Sequence, residues 1–444
     1  MEPFLFGVAT ASYQIEGGAN EGGRSKSIWD TFCEIPGNVM NGDTGDQACD
    51  YYHRWKEDLA LIHDLGTDAY RFSVSWSRIF PKKDEYNPEG MEFYRNILLE
   101  MKKLGIKAAV TIYHWDLPQW AQDLGGWENR DCTDWFCAYA EKLYEELDDL
   151  VDSWITLNEP YCASFISNYN GAHAPGNRDL TKALCVSHHL LLSHGKAVRL
   201  YREKDGRKPI GITLNLKPVY PASDSFRDRL AAHIQSSYAN DWFLKPIFQK
   251  EYPEEFCVLA ASRCTTDFSF LREGDMDIIG TPVDFLGINF YSAATARYDQ
   301  TNLLLNSSPH TSYPKTKMGW DIRPETLIDL LSYVRKEYTG IPVYITENGS
   351  AWDDHLEDGK VHDRERSEYL VKHLETVKEA NRKGLNVKGY YCWSLLDNFE
   401  WAWGYSRRFG IVYVDYETQK RIPKDSYAVY RDYIAEFKKQ ENVR

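Results

Sequence analysis

Glu159 and Glu347 are the residues whose type and setting could do chemistry. The first stands in Thr156-Leu157-Asn158-Glu159-Pro160 and the second in Ile345-Thr346-Glu347-Asn348-Gly349. Each follows a short β-rich apolar run, so each carboxyl sits where a buried strand gives way to a loop. Two carboxyls facing one another across a cleft can break an acetal. One must stay protonated near neutral pH, because an alkoxide leaves poorly. The other must be ionised, to attack or shield an anomeric carbon as positive charge develops on it.

Neighbouring residue types suggest the division of labour. Arg71 and Tyr291 are expected to hold Glu347 ionised, through an opposite charge and hydrogen bonds to the charged form. Glu159, expected nearer aromatic surface and facing the Glu347 charge, should be pushed up and serve as the acid. Once Glu347 carries a sugar its charge is gone, and Glu159 can act as base towards water.

Positioning these groups requires a frame. Eight near-continuous apolar or β-branched runs recur, at residues 4–10, 69–75, 107–113, 153–157, 210–215, 285–290, 343–346 and 389–393. Such runs suit parallel strands buried on both faces. Helix punctuation lies between them. Asn87-Pro88-Glu89 offers a cap, a proline at the first helical position and an acid in the first turn, and the segment closes at Lys102-Lys103-Leu104-Gly105. Residues 46–65, 181–202, 323–336 and 364–383 also read as helices. The alternation predicts an α/β chain, a single (β/α)8 TIM barrel over residues 1–444. Two connections, 217–284 and 292–341, exceed what a barrel needs and predict elaborated βα-loops around a cleft.

In such barrels the reacting groups sit at the C-terminal strand ends. Every run here ends in polar or aromatic residues: Gln14 and Glu16; Arg71; His114-Trp115-Asp116; Asn158-Glu159; Asn215; Asn289 and Tyr291; Glu347-Asn348; Trp393, Glu400 and Trp401. One such residue is ordinary, because loops are wet. All eight together, with two carboxyls, are the signal. Trp115 reads equally well as core packing, and Asn215 as the cap of a strand end.

Composition excludes other classes. The 444-residue chain carries a net charge of −14 with a pI near 5.4, so nucleic acid and anionic membrane are not expected partners. No run of apolar residues is long enough to span a bilayer, and the segment Met1–Gly7 lacks a secretory pattern, so a cytoplasmic location is expected. Nine cysteines, an odd number without a CxxC pair, read as reduced thiols, Cys132 and Cys137 included. His188-His189 falls in a helix-like segment where neighbours diverge, and the chemistry above calls for no metal or cofactor.

At these residues the chain resembles glycoside hydrolase family 1, in its bacterial β-glucosidase branch. Thr156–Pro160 is similar to the family's acid/base motif and Ile345–Gly349 to its nucleophile motif. The likeness runs from Phe6-Gly7-Val8-Ala9-Thr10 through Arg71-Phe72-Ser73 and His114-Trp115-Asp116-Leu117-Pro118 to Trp393–Trp401 and Phe409-Gly410-Ile411-Val412. It implies a retaining β-glycosidase releasing terminal β-D-glucosyl residues from β-glucosides and cello-oligosaccharides by double displacement.

The resemblance also implies a glycone pocket of Gln14, His114, Asn158, Glu400 and Trp401. Gln14, His114 and Glu400 would bind the 3-, 4- and 6-hydroxyls, with Trp401 assisting at the 3-hydroxyl; Asn158 would hold the 2-hydroxyl. Trp393 would be the sugar's floor, and Trp320 the aromatic platform of the aglycone side. Asn289 would support the catalytic pair. Cis peptides at Trp393-Ser394 and Ala174-Pro175 are implied as well. The branch that hydrolyses 6-phosphoglycosides is disfavoured, since Glu400 and Trp401 replace its phosphate site and Phe409 stands where a tyrosine would help; Arg407 and Arg408 read as a solvated loop. Glu159 argues against the thioglucosidase branch, which has glutamine there. Galactoside or fucoside preference stays open, as does an inactive sugar-binding barrel, and the resemblance leaves homo-oligomer formation open.

Overall fold

The computed structural model describes residues 3–264 and 266–441; Met1 and Glu2, part of the N-terminal segment read above, lie outside the described residues. The eight expected runs form the strands Leu5–Ala9, Ala69–Ser73, Lys107–Tyr113, Ser153–Asn158, Ile210–Asn215, Phe285–Asn289, Val343–Asn348 and Val387–Trp393. They pair in parallel and in chain order, and the eighth closes on the first, giving a (β/α)8 barrel. Closure removes both sheet edges, which suits strands that are apolar on both faces.

Register decides which side chains share the mouth. Ala9 pairs with Trp393 and with Arg71, while Asn289 pairs with both Asn215 and Glu347. The fourth and seventh strands, which carry the two glutamates, both lose regular register over their last residues, between Ile155 and Asn158 and between Ile345 and Asn348. Such irregularities re-aim side chains at barrel rims. Small residues make room inside: Ala9, Ala69, Ala109 and Ala351 pack around Tyr391, Trp393 and Phe409. Gly349 is demanded by contact, because a Cβ there would lie 1.6 Å from the Trp393 carbonyl oxygen.

Helices cover the outside much as expected: Pro88–Leu104, Leu180–Glu203, Thr326–Glu337 and Arg364–Arg382. Two begin later than the sequence suggests. The segment expected from residue 46 becomes helical at Tyr51, because Asp50 takes a left-handed φ of 52°. The segment expected from 323 starts at Thr326, after Pro324. The long connection 217–284 holds the helices Phe226–Ser236, Trp242–Phe248, Glu254–Arg263 and Asp275–Ile279. A three-stranded sheet of Val219–Pro221, Ala294–Tyr298 and Asn306–Ser307 joins the two long connections.

Asp425–Glu441 forms a final helix that packs on the outer wall of the barrel, beside the helices Tyr51–Leu65 and Arg364–Arg382. The Phe437 ring packs edge-on to Phe6 at 5.0 Å, and the Tyr430 hydroxyl donates to the Gly7 carbonyl at 2.9 Å. Above it, the buried charges of Asp354, Asp363 and Asp397 meet those of Arg366, Arg408 and Lys424 in one ion cluster. Both implied cis peptides, Trp393-Ser394 and Ala174-Pro175, are present. Among the described residues the cysteines are free thiols, no helix is long and apolar enough to cross a membrane, and no cluster of metal-ligating groups occurs.

Candidate active site

Arg71 leaves the second strand almost fully buried, with 1 % of its surface exposed. A guanidinium without water must spend its donors on the protein. Nη1 donates to Glu347 Oε1 at 2.6 Å and to the Thr346 carbonyl at 3.1 Å; Nη2 donates to Asn158 Oδ1 at 2.6 Å; Nε donates to Thr111 Oγ1 at 3.1 Å. The second Glu347 oxygen accepts from the Tyr291 hydroxyl at 2.6 Å. Asn289 Nδ2 donates both to Asn158 Oδ1 at 3.0 Å and to Glu159 Oε1 at 2.7 Å, and its Oδ1 accepts from Thr346 Oγ1 at 2.7 Å. Glu347, Arg71, Asn158, Asn289 and Glu159 therefore form one continuous frame.

One expectation is corrected here. Arg71 and Tyr291 do contact Glu347, but burial outweighs them and pushes its carboxyl up to about 7, with Arg71 pulling down, the Glu159 charge adding to the rise and Tyr291 opposing it. Of the Glu159 oxygens, Oε1 meets the Asn289 amide and Oε2 accepts from the Cys162 thiol at 3.0 Å. Sequence reasoning passed over Cys162. The only signal was its spacing, three residues past Glu159.

Beside the carboxyls, three buried polar atoms lack a protein partner: Gln14 Oε1, His114 Nδ1 and Glu400 Oε2. Gln14 and His114 spend their other polar atoms elsewhere. Gln14 spends its Nε2 on Asn398 Oδ1 at 3.0 Å and the Phe399 carbonyl at 2.9 Å, so its free oxygen is an acceptor. His114 Nε2 accepts from Asn158 Nδ2 at 3.0 Å, which puts the ring proton on Nδ1 as a free donor. Burial, and then the Arg71 charge, hold this imidazole well below its usual range, hence neutral. Burial and the charges of Glu347 and Glu159 push Glu400 up to about 8.

Rings wall this polar set. Trp393 lies parallel to His114 at 5.9 Å, and Trp401 stacks on both His114 and Tyr13 at 6.1 Å. Trp320 packs on Tyr291 at 5.2 Å and on Phe409 at 6.1 Å. Trp115 spends its indole N–H on the Asn158 carbonyl at 2.9 Å and packs on Trp401 at 4.6 Å, which props Asn158 from behind.

Other strand-end residues serve the scaffold. Glu16 binds Arg78 and Tyr94, Asp116 binds Ser12, and Asn348 accepts from Tyr390. Arg408 donates to Asp397 at 2.6 Å, and Arg407 lies over the Trp403 ring at 4.2 Å.

The raised Glu400 has a stability consequence. Its folded value of about 8 lies above that of an exposed glutamate, so the folded state binds more protons between the two values and loses stability as pH rises through that window. Glu400→Gln is expected to raise the melting temperature more near pH 8 than near about pH 5, while lowering turnover. Melting curves at both pH values check this, and equal shifts contradict it.

The chain is similar to known proteins over nearly its whole length. Residues 1–439 match the family model described as glycosyl hydrolase family 1. The β-glucosidase A of Thermotoga maritima is 48 % identical over 430 residues, covering 96 % of this chain and 95 % of that protein. The 1,4-β-D-glucan glucohydrolase of Thermotoga neapolitana is also 48 % identical over 430 residues, covering 96 % of each. The crystal structure of the β-glucosidase of this family from Exiguobacterium antarcticum superposes with a TM-score of 0.97 at 52 % identity over 99 % of both chains. With the family model matched over almost the whole chain, the chain is a glycoside hydrolase of glycosyl hydrolase family 1.

Proposed function

We propose that the protein, acting as one catalytic domain, is a retaining β-glucosidase with Glu347 as nucleophile and Glu159 as acid/base. The observation that carries this reading is the frame joining the two carboxyls through Arg71, Asn158 and Asn289. It fixes one carboxyl against a guanidinium and leaves the other on neutral donors. The guanidinium beside Glu347 favours its charged, attacking form.

In the first step Glu347 attacks C1 from the α face while Glu159 gives its proton to the departing oxygen. The products are an α-glycosyl ester and the free aglycone. Neutralising Glu347 removes the charge facing Glu159, which then takes a proton from water as that water attacks C1. The ester breaks, Glu347 is regenerated as carboxylate and the β configuration is restored. Donor Nδ1 of His114, acceptor Gln14 Oε1 and the Glu400 carboxyl match the mixed donor and acceptor needs of sugar hydroxyls. Trp393 and Trp401 offer flat apolar faces to the ring, and Trp320 with Phe409 to the leaving side. Glucose as the sugar follows the activity of the similar β-glucosidases, and the reading extends to β-glucosides and cello-oligosaccharides.

The test is turnover of p-nitrophenyl β-glucoside, β-galactoside, β-fucoside and β-glucoside-6-phosphate, with Glu347→Ala alongside. The glucoside is expected to be the best substrate, and the variant to lose activity by about 10⁴-fold or more and regain it with azide as α-glucosyl azide. Dominant turnover of another sugar overturns the substrate, and a β-azide product overturns the nucleophile.

Acidity gives a second test. The acid limb of kcat/KM reports the group that must be ionised in the free enzyme. Because Tyr291 pulls Glu347 down, Tyr291→Phe is expected to move that limb up by about one pH unit. A limb that stays in place, or moves down, contradicts the assignment.

A further inference from the structure

Cys162 touches Glu159 twice. Its backbone N–H donates to the Glu159 carbonyl at 2.9 Å, and its thiol donates to Glu159 Oε2 at 3.0 Å. Local backbone brings the two together. Glu159 takes a left-handed φ of 46°, and the chain then enters a π-helix, Cys162–Asn170, whose first residue is this cysteine. π-turns are rare and concentrate where a functional group must be re-aimed. The thiol is itself oriented, since Asn215 Nδ2 donates to Sγ at 3.7 Å from the end of the fifth strand. That contact gives Asn215 a role beyond capping a strand.

The pairing has a chemical property that the rest of the frame lacks. Asn289 reaches Glu159 through Nδ2, which can only donate, so it suits the ionised carboxylate. A thiol both donates and accepts weakly. It can donate to the carboxylate after the proton has left and accept from the carboxylic acid before it leaves. Burial and the Glu159 charge push this thiol well up, so it stays an S–H and does not become a competing nucleophile.

We propose that Cys162 is a positioning residue for Glu159: oriented by Asn215, its thiol holds Oε2 in both protonation states while Asn289 holds Oε1. The carboxyl then keeps one orientation through both steps of the reaction. This inference rests on Glu159 being the acid/base.

The experiment compares Cys162→Ala, Cys162→Ser, Asn215→Ala and Glu159→Ala on cellobiose and on 2,4-dinitrophenyl β-glucoside. The dinitrophenolate departs without a proton, so a misplaced acid hurts kcat/KM for cellobiose alone. Cys162→Ala is expected to lose about tenfold on cellobiose and less than about twofold on the dinitrophenyl substrate, with its alkaline limb displaced. Cys162→Ser, which keeps a hydroxyl that donates and accepts, is expected to recover most of the loss. Asn215→Ala is expected to show the same selectivity at smaller size, and it carries the test if Cys162→Ala does not fold. Equal losses on both substrates, or a serine variant no better than alanine, overturn the proposal and leave a packing role. Glu159→Ala separates the two claims. If it discriminates between the substrates and the Cys162 and Asn215 variants do not, only the positioning role falls. If it does not discriminate either, the acid/base reading falls first.

Discussion

A guanidinium charge sealed inside the barrel mouth is the constraint on which the rest of this structure depends. Arg71 is buried, and its donors are met by a carboxylate, an amide, a hydroxyl and a carbonyl from the third, fourth and seventh strands. Removing any one partner would leave a buried donor or charge unmet, which is far costlier than a lost surface contact. Strand order and register follow the same requirement, because only a closed barrel brings those strand ends round one point. The ion pair with Glu347 is therefore as much a device for geometry as for charge.

The second constraint is dehydration. The same burial that strengthens Arg71's pull raises Glu347 and Glu400, so the ligand-free site holds acids above their ordinary range. Three polar atoms are left unpartnered beside them, and the buried ion cluster of Asp354, Asp397, Arg366, Arg408 and Lys424 anchors the loop that carries Glu400. A site of this kind stores unfavourable desolvation in the free protein and relieves it when hydroxyls arrive. Stability is given up locally and recovered in the scaffold, where Glu16 and Asn348 are hydrogen-bonded.

Much of this was legible before any coordinates. Parallel strands buried on both faces leave continuous apolar runs, and each polar residue just past such a run lands on the barrel rim; that logic located Arg71, His114, Asn158, Glu159, Asn289 and Glu347. Four things escaped it. Cys162 is an apolar-looking residue whose role depends on a left-handed turn at Glu159 and a π-helix, neither of which has a periodic signature. The interior of 217–284 breaks into four short helices, too brief for a strong helical period. Glu347's raised acidity range reflects a depth of burial that a motif does not encode. The final helix Asp425–Glu441 was overlooked although the spacing of its buried Tyr427, Tyr430 and Ile434 marks one apolar face.

The most direct measurement of the central claim is to trap the covalent intermediate and locate it. Incubation with 2,4-dinitrophenyl 2-deoxy-2-fluoro-β-glucoside, followed by proteolysis and mass spectrometry of the peptides, reads which carboxylate holds the sugar. The account predicts a single fluoroglucosyl ester, on Glu347, formed as activity is lost and discharged as it returns. A label on Glu159 or Glu400, or complete inactivation without any covalent adduct, would contradict it.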